Sequence, residues 1–197
     1  SNLSEQLWLD PSSRRDALAF FTAYLRQGDR VVDVGANIGD TALLASSIVG
    51  SQGRVWAIEP HPRTFAFLRS NLELNRTSNV EAIMSAVGRT AGQTRFSDDR
   101  RDDMNRVGDG EVVVPIQRLD DLVSFRGPVA LLKVDVEGFE KFVFEGAHAL
   151  LGVCSCVHFE ISTVHFDRFG YLMQDLLSLL EDEGFSLYRF LASDHLK

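Results

Sequence analysis

The sequence has little of what marks secreted, membrane-spanning or nucleic-acid-binding proteins. Only two of its 197 residues are cysteine, Cys154 and Cys156, so it has no disulfide framework and suits a reducing compartment. Its longest apolar run without an ionised residue, 146–159, is short for a membrane-spanning helix. The net charge of −8 gives no general attraction to nucleic acid or anionic membranes, and no signal peptide is visible. We therefore expect a cytoplasmic protein whose partners are neither nucleic acid nor a membrane.

What is present indicates one ordinary folded domain. A hydrophobic content of 45% and a charged content of 24% are typical of globular proteins, and 197 residues can bury a full core. The chain has no repeats, no low-complexity segment and no interdomain linker. We expect a single domain over residues 1–197, with an N-terminal helical segment at 1–28 and a ligand-binding core at 29–197.

Hydrophobic periodicity predicts strands and helices in alternation, which is the order of a doubly wound, mostly parallel α/β sheet with helices on both faces. Strands are expected at about 30–34, 54–59, 80–84, 129–136, 156–161 and 185–191. Helices are expected from Asp10-Pro11 to near Gly28 and at about 40–49, 62–75, 119–123, 137–151 and 172–183. Short strands at 93–97 and 111–116 predict a small β-hairpin inserted between the third and fourth strands.

Residues 30–40, RVVDVGANIGD, are the most informative stretch. A short buried strand is followed by a tight loop between Gly35 and Gly39, and a helix begins at Asp40. Free N–H groups at a helix N-terminus make such a corner suitable for an anion or a nucleotide. Asn37 stands where a dinucleotide-binding loop would have its second glycine. The loop therefore suits a nucleoside ligand that lacks a pyrophosphate.

In this sheet class, ligands bind at the carboxyl ends of the strands. The polar or small residues predicted at those ends are Asp33, Glu59, Ser85, Ala86, Asp135, Glu137 and Glu160. Glu59, 20 residues past Gly39, could accept hydrogen bonds from both hydroxyls of a ribose. The alternative for Glu59 is a solvated charge at the start of a loop.

Four segments together resemble the FkbM family of S-adenosylmethionine-dependent methyltransferases. They are VVDVGANIGDTALLA, VWAIEPHP, MSAVGR and LLKVDVEGFEKFVFEGA, within about residues 29–162, and the most specific block is KVDVEGFE at 133–140. The resemblance implies a class I methyltransferase (Rossmann-like) fold and S-adenosylmethionine as methyl donor. It also implies O-methylation of a small-molecule hydroxyl on a sugar-like, polyketide or other metabolite.

The resemblance also implies where the donor binds. The methionine part and the sugar would be surrounded by Asp33, Gly35, Asn37 and Gly39, and the ribose would be held by Glu59. Ser85 and Ala86 would flank the adenine, and Asp135 would lie near the methyl group. The full implied cofactor-binding set is Asp33, Gly35, Ala36, Asn37, Gly39, Glu59, Pro60, Ser85, Ala86 and Asp135.

Methyl transfer to a hydroxyl needs alignment and benefits from a base. Asp135 is the first candidate base, Glu137 and Glu160 are the next, and His165 is a looser one. The alternative for Asp135 is that it only caps a helix beginning near Glu137. A divalent ion held by the three acids is a further alternative, although we expect no metal.

Lys133 lies on the same strand face as Asp135 by the two-residue period of a strand. A lysine in a buried strand is unfavourable unless it is paired. We expect structural pairing with a buried carboxylate, and the orientation of an acid at the site stays open as the alternative.

Two further patterns favour structural readings. Cys154, Cys156, His158 and Glu160 alternate along one strand, but same-face neighbours are about 6.6 Å apart, so the four span roughly 20 Å and cannot share one ion. The charged run at 98–106 indicates a solvated loop tip, with a substrate cover that uses Asn105 or Arg106 as the alternative.

Two other functions remain open at this point. A nicotinamide-dependent oxidoreductase would share the acid at the strand end but would need a glycine at Asn37. A non-catalytic domain would keep the nucleoside pocket alone. N-methylation of a nucleobase or amide is disfavoured, because residues 135–138 are Asp-Val-Glu-Gly rather than an Asp/Asn-Pro-Pro-aromatic motif.

Overall fold

The structure is a computed structural model that describes residues 15–97, 107–108, 110–161 and 168–188. Its elements are α1 (Arg15–Tyr24), β1 (Arg30–Val34), α2 (Asp40–Val49), β2 (Arg54–Ile58), α3 (Pro62–Leu74), β3 (Val80–Ile83), β4 (Ala86–Val87), β5 (Gly92–Phe96), β6 (Val112–Gln117), α4 (Leu119–Leu122), β7 (Val129–Val134), α5 (Glu140–Glu145), α6 (His148–Leu151), β8 (Cys154–Phe159) and α7 (Met173–Asp182). Across these described ranges, no helix has the length and apolar character needed to cross a membrane.

Within the described residues, the main sheet has five parallel strands in the order β3-β2-β1-β7-β8, which confirms the predicted doubly wound α/β fold. β1 is central, and its β-branched side chains point alternately to the two faces. Val32 and Val34 pack on one core with α5, α6 and α7, whereas Val31 packs on the other with α1, α2 and α3. Both faces are therefore covered by helices, as a buried parallel sheet requires.

The predicted hairpin is present and is part of a second, three-stranded sheet with the order β4-β6-β5. β5 and β6 pair in antiparallel fashion, with Thr94 opposite Val114, and β4 pairs in parallel with β6. A small third core, which includes Ala86 and Phe96, lies under this sheet. β4 was not predicted because a strand of two residues has no measurable periodicity.

Several predicted boundaries are wrong. The strand predicted at 129–136 ends at Val134, and that predicted at 156–161 is Cys154–Phe159. The helix predicted at 137–151 begins at Glu140 and is divided into α5 and α6. The division falls at Gly146, where a Cβ would lie 2.2 Å from the Gly88 carbonyl oxygen, so the close approach of the two backbones requires glycine.

The last predicted strand, 185–191, is not formed over its described residues, 185–188. Phe185 and Leu187 pack on the core while Tyr188 is exposed, so the alternation is real. Alternation alone does not make a strand, because a strand also needs a backbone partner. The predicted helix start at Asp10-Pro11, the 98–106 run and His165 lie outside the described residues.

Candidate active site at the carboxyl end of the sheet

The carboxyl ends of β1, β2 and β7 meet, as the predicted topology requires. The backbone N–H groups of Gly35 and Ala36 both donate to the Ile58 carbonyl, each at 3.0 Å, so the glycine loop crosses the end of β2. On the other side, the Asp135 N–H donates to the Val34 carbonyl at 3.0 Å. Three of the predicted site segments, the glycine loop, Glu59 and Asp135, are thus brought together by backbone hydrogen bonds.

The glycine loop has left-handed backbone at three positions. The φ angles are +78° at Gly35, +49° at Asn37 and +91° at Gly39. A Cβ at Gly35 would lie 1.9 Å from the Asp135 carbonyl oxygen, so that position accepts glycine alone. Asparagine tolerates the left-handed region better than most residues, which accounts for Asn37 in the middle of the loop.

Asn37 also has the features of a ligand contact. Its Oδ1 atom is buried and lacks a hydrogen-bond partner among the described residues. Buried polar atoms are nearly always satisfied, so an acceptor of this kind beside a loop of backbone N–H groups fits a ligand that donates hydrogen bonds.

Glu59 is buried rather than solvated, with 6% of its surface exposed, which rules out the loop-start charge. Its Oε2 accepts from the Asn37 N–H at 3.0 Å and its Oε1 accepts from the His61 N–H at 2.9 Å. Burial raises the pKa of Glu59 to about 7, although these two backbone hydrogen bonds oppose the change. Each carboxylate oxygen keeps a further lone pair for a ligand hydroxyl. Pro60, also buried, follows directly.

Asp33 and Lys133 form a buried ion pair, which confirms the expected pairing of the lysine. Lys133 Nζ lies 2.9 Å from Asp33 Oδ1, and Thr41 Oγ1 donates to Asp33 Oδ2 at 2.6 Å. Burial alone would lower the pKa of Lys133, but the Asp33 and Asp135 carboxylates outweigh it and raise that pKa. Both oxygens of Asp33 are thus engaged within the protein, and its predicted contact with the donor stays a prediction.

The corner after β7 is a turn of unusual backbone. Asp135 is partly exposed and its Oδ2 lies 3.7 Å from Lys133 Nζ. Glu137 has a φ of +54° and Gly138 a φ of +96°. The α5 helix begins only at Glu140, after an N-cap at Phe139 without a side-chain cap, so the reading of Asp135 as a helix cap is wrong.

Glu140 and Tyr171 hold this turn, and neither was predicted as a site residue. Glu140 is buried, and its Oε1 accepts from the N–H groups of Val136 and Gly138, each at 3.2 Å. The Tyr171 hydroxyl donates to the Gly138 carbonyl at 2.6 Å. The position of Glu140, two residues after a glycine at a helix start, is a signal that could have revealed a carboxylate reaching back to free N–H groups.

The remaining predicted residues are Ser85, Ala86 and Glu160. Ser85 is fully buried, and its hydroxyl is shared between the Ala86 carbonyl at 2.7 Å and the Pro115 carbonyl at 3.3 Å. Ala86, also buried, begins β4. Glu160 is exposed and follows Phe159, which pairs with Val134, so Glu160 and Asp135 each come just after neighbouring strands.

The alternative of a bound ion finds no support in the part of the chain that the structure describes. Among the residues that the structure describes, no three acidic, histidine or cysteine side chains are grouped so that they could hold one. Cys154 donates from Sγ to the Cys156 carbonyl, and burial raises the pKa of Cys154 to about 11, so this thiol stays neutral. Cys154 is therefore a small, half-buried apolar residue.

Several known proteins are similar to this chain in sequence or in fold. The family model of the FkbM methyltransferase domain matches residues 33–187. The chain is 32% identical to Methyltransferase 1 of Beauveria bassiana over 143 residues, 59% of this chain and 57% of that protein. It is 27% identical over 190 residues to the hexuronic acid methyltransferase AglP of Haloferax volcanii, 92% of this chain and 74% of that protein. The chain thus spans little more than half the length of the first of these relatives.

A solved structure shows the same fold. The FkbM methyltransferase of Methylobacillus flagellatus superposes with a TM-score of 0.57 at 21% identity, over 85% of this chain and 42% of that one. The parallel sheet, the glycine loop after β1 and the match of the domain model over most of the sequence lead to one conclusion. The chain belongs to the FkbM family of S-adenosylmethionine-dependent methyltransferases and has the class I methyltransferase fold.

Proposed function

We propose that the chain methylates a hydroxyl group of a sugar-like small molecule, with S-adenosylmethionine as methyl donor. The observation that carries the proposal is the contact between the glycine loop and the 135–138 turn. A Cβ at Gly35 would meet the Asp135 carbonyl, so a donor on the loop and an acceptor at the turn would be neighbours. Holding two reactants in this way can supply about 7–11 kcal/mol of the barrier.

The donor half of the site is the glycine loop with Glu59. When bound, S-adenosylmethionine supplies an electrophilic methyl group on a positively charged sulfur. Glu59 offers carboxylate lone pairs to the two ribose hydroxyls, and charge-assisted hydrogen bonds of this kind are worth roughly 1.5–3 kcal/mol each. Asn37 Oδ1, buried beside Glu59, offers a further acceptor.

The acceptor half is the turn after β7. In the proposed reaction, Asp135 accepts the proton of the acceptor hydroxyl while the hydroxyl oxygen bonds to the methyl carbon. The carbon–sulfur bond breaks and leaves a neutral thioether. A positioned base typically contributes a factor of about 10²–10⁴ to the rate. Glu137 and Glu160 are proposed to accept hydrogen bonds from other hydroxyls of the substrate.

Sugar-like character of the acceptor is supported by the relative from Haloferax volcanii, whose name gives a hexuronic acid as its substrate and which matches 92% of this chain. The multiple carboxylates at the carboxyl edge also suit a substrate with several hydroxyl donors. Membership of a methyltransferase family argues against the oxidoreductase alternative, and the residue at the second glycine position is Asn37.

Calorimetric titration with S-adenosylmethionine, S-adenosylhomocysteine and NAD tests the donor half. We expect both sulfur nucleosides to bind and NAD to bind far more weakly. Preference for NAD, or binding of neither sulfur nucleoside, would refute the proposal. Binding of both without methyl transfer to any hydroxyl compound would instead support the non-catalytic nucleoside-binding domain.

A further inference from the structure

Lys133 contacts both halves of the proposed site. Its Nζ lies 2.9 Å from Asp33 Oδ1, 3.1 Å from the Gly35 carbonyl oxygen and 3.7 Å from Asp135 Oδ2. The ammonium group has three N–H donors, and these three oxygens are its neighbours. The side chain is only 6% exposed, so water does not compete for these positions.

On the donor side, the lysine is linked to both ends of the glycine loop. Gly35, whose carbonyl it contacts, is the first residue of the loop. The Asp33 carboxylate that it neutralises also accepts from Thr41 Oγ1, in the first turn of α2 after the loop. The segment from 35 to 40 is therefore held at its start and just beyond its end by one hydrogen-bonded network.

On the acceptor side, the ammonium group lies within ion-pair distance of one oxygen of Asp135, at 3.7 Å, and the carboxylate is not fully buried. A quarter of the Asp135 side chain remains exposed. Asp135 directly follows β7, two residues after Lys133, and the 3.7 Å between Lys133 Nζ and Asp135 Oδ2 places the two side chains on the same side of the sheet end. The carboxylate proposed as the base thus shares its cation with the loop proposed to bind the donor.

Charge neutralisation alone does not account for this geometry. Lys133 and Asp33 are direct partners in the β1–β7 register, so the ion pair is complete without the other two oxygens. A buried ion pair is also weak evidence for stability, since well-packed apolar residues often do as well. The additional contacts with Gly35 and Asp135 are those that join the two halves of the site.

We propose that Lys133 is a positioning residue that couples the donor loop to the Asp135 carboxylate, an inference that rests on the proposed function. Its ammonium fixes the Gly35 end of the loop and the orientation of Asp135 together. Loss of the lysine should therefore weaken donor binding even where the stability of the fold is restored.

The first test separates the two roles by paired substitution. Lys133→Met leaves Asp33 as an uncompensated buried charge, and we expect a much lower melting temperature. The double variant Asp33→Asn with Lys133→Gln replaces the ion pair with a neutral amide pair and keeps an acceptor for Thr41. We expect it to recover most of the melting temperature. Its dissociation constant for S-adenosylmethionine should stay at least about tenfold above that of the parent and above that of Asp33→Asn alone, which keeps the lysine and so controls for a donor contact of Asp33. Recovery of affinity together with stability would overturn the inference.

The second test uses the parent protein and so does not depend on a variant that folds. The sequence has only three lysines, Lys133, Lys141 and Lys197. We expect the ¹⁵N spectrum of lysine side chains to contain a slowly exchanging ammonium signal from Lys133, identified by its persistence in Lys141→Arg and Lys197→Arg. Saturation with S-adenosylmethionine should shift that signal. An unchanged signal at saturation would overturn the inference.

Failure of the proposed function can be distinguished from failure of the role proposed for Lys133. If the parent binds neither S-adenosylmethionine nor S-adenosylhomocysteine, the proposed function fails and the inference fails with it. If the parent and the double variant bind the donor equally well, only the role of Lys133 fails.

Discussion

Glu59 carries a carboxylate that the fold keeps almost entirely out of water. Burial raises its pKa to about 7, and the two N–H groups that donate to it belong to the loop residue Asn37 and to His61. The group therefore titrates near neutral pH, in the middle of the proposed ribose site. Two predictions follow from the direction of this change, one for binding and one for stability.

For binding, ribose hydroxyls donate to the ionised carboxylate and so favour the charged form. We expect the affinity for S-adenosylhomocysteine to increase as the pH rises through about 7, with release of protons on binding. Calorimetry in two buffers of different ionisation enthalpy measures that release. Glu59→Gln, which cannot ionise, should bind more weakly and lose this dependence. The same pH dependence in parent and variant would exclude Glu59 as its source.

For stability, the folded pKa of Glu59 lies above its usual value of 4.5. The unfolded chain therefore loses this proton at lower pH than the folded one. The contribution of Glu59 to stability is fully present below about pH 4.5 and is lost as the pH rises through about 7. The loss is at most roughly 3.5 kcal/mol, since the pKa rises from 4.5 to about 7 and one pKa unit corresponds to about 1.4 kcal/mol.

Melting temperatures of the parent and Glu59→Gln between about pH 5 and pH 8 check this expectation. Subtraction of the two curves removes the effect of all other titrating groups. We expect the variant to gain stability relative to the parent as the pH increases. A constant difference would mean that the carboxyl is not held in its neutral form by the fold.

At the scale of the elements, the glycine loop depends on a close approach to the end of β7. Gly35→Ala combines left-handed strain, which costs of order 1–3 kcal/mol, with a Cβ placed 1.9 Å from the Asp135 carbonyl oxygen. We expect a lower melting temperature and loss of measurable donor binding. Gly28→Ala is the matched control, because Gly28 has a φ of +85° and nothing within 4 Å of the added Cβ. It should lose stability but keep its affinity, and equal effects of the two variants on affinity would contradict the account.

The turn after β7 depends on Glu140. Glu140→Ala removes the acceptor of the Val136 and Gly138 N–H groups, and each buried unsatisfied group costs about 1–3 kcal/mol. Glu140→Gln keeps an acceptor oxygen of similar reach. Thermal melts should therefore rank the parent first, the Gln variant next and the Ala variant last. If Gln and Ala are equally destabilised, hydrogen bonds to this oxygen do not stabilise the turn.

At the scale of the whole molecule, much of the site could be predicted from topology alone. Apolar runs that contain or precede Asp33, Glu59 and Asp135 predict parallel strands, and the carboxyl ends of parallel strands meet at one edge. The glycine loop could be placed because its glycines are required by a left-handed backbone and a close approach. These features are local in sequence or follow from the order of the elements.

Contacts between distant side chains could not be predicted in the same way. Tyr171 reaches the Gly138 carbonyl across 33 residues of sequence, and no pattern in either segment specifies the partner. The degree of burial of Glu59 was also out of reach, because it depends on how the loop closes over the end of β2. Phe185 and Leu187 show the converse, since an alternating pattern was read correctly but the residues have no strand pairing.

The proposed function depends most on methyl transfer to a hydroxyl group beside Asp135, in the turn after β7. The most direct measurement is transfer of labelled methyl from S-adenosylmethionine to a panel of hydroxyl compounds that includes hexuronic acids and neutral sugars, with Asp135→Asn as the matched variant. We expect a methyl ether product with at least one sugar-like acceptor, and a turnover about 10²–10⁴-fold lower in the variant at nearly unchanged donor affinity. Methyl transfer to nitrogen alone, or equal turnover by parent and variant on the best acceptor, would contradict the account.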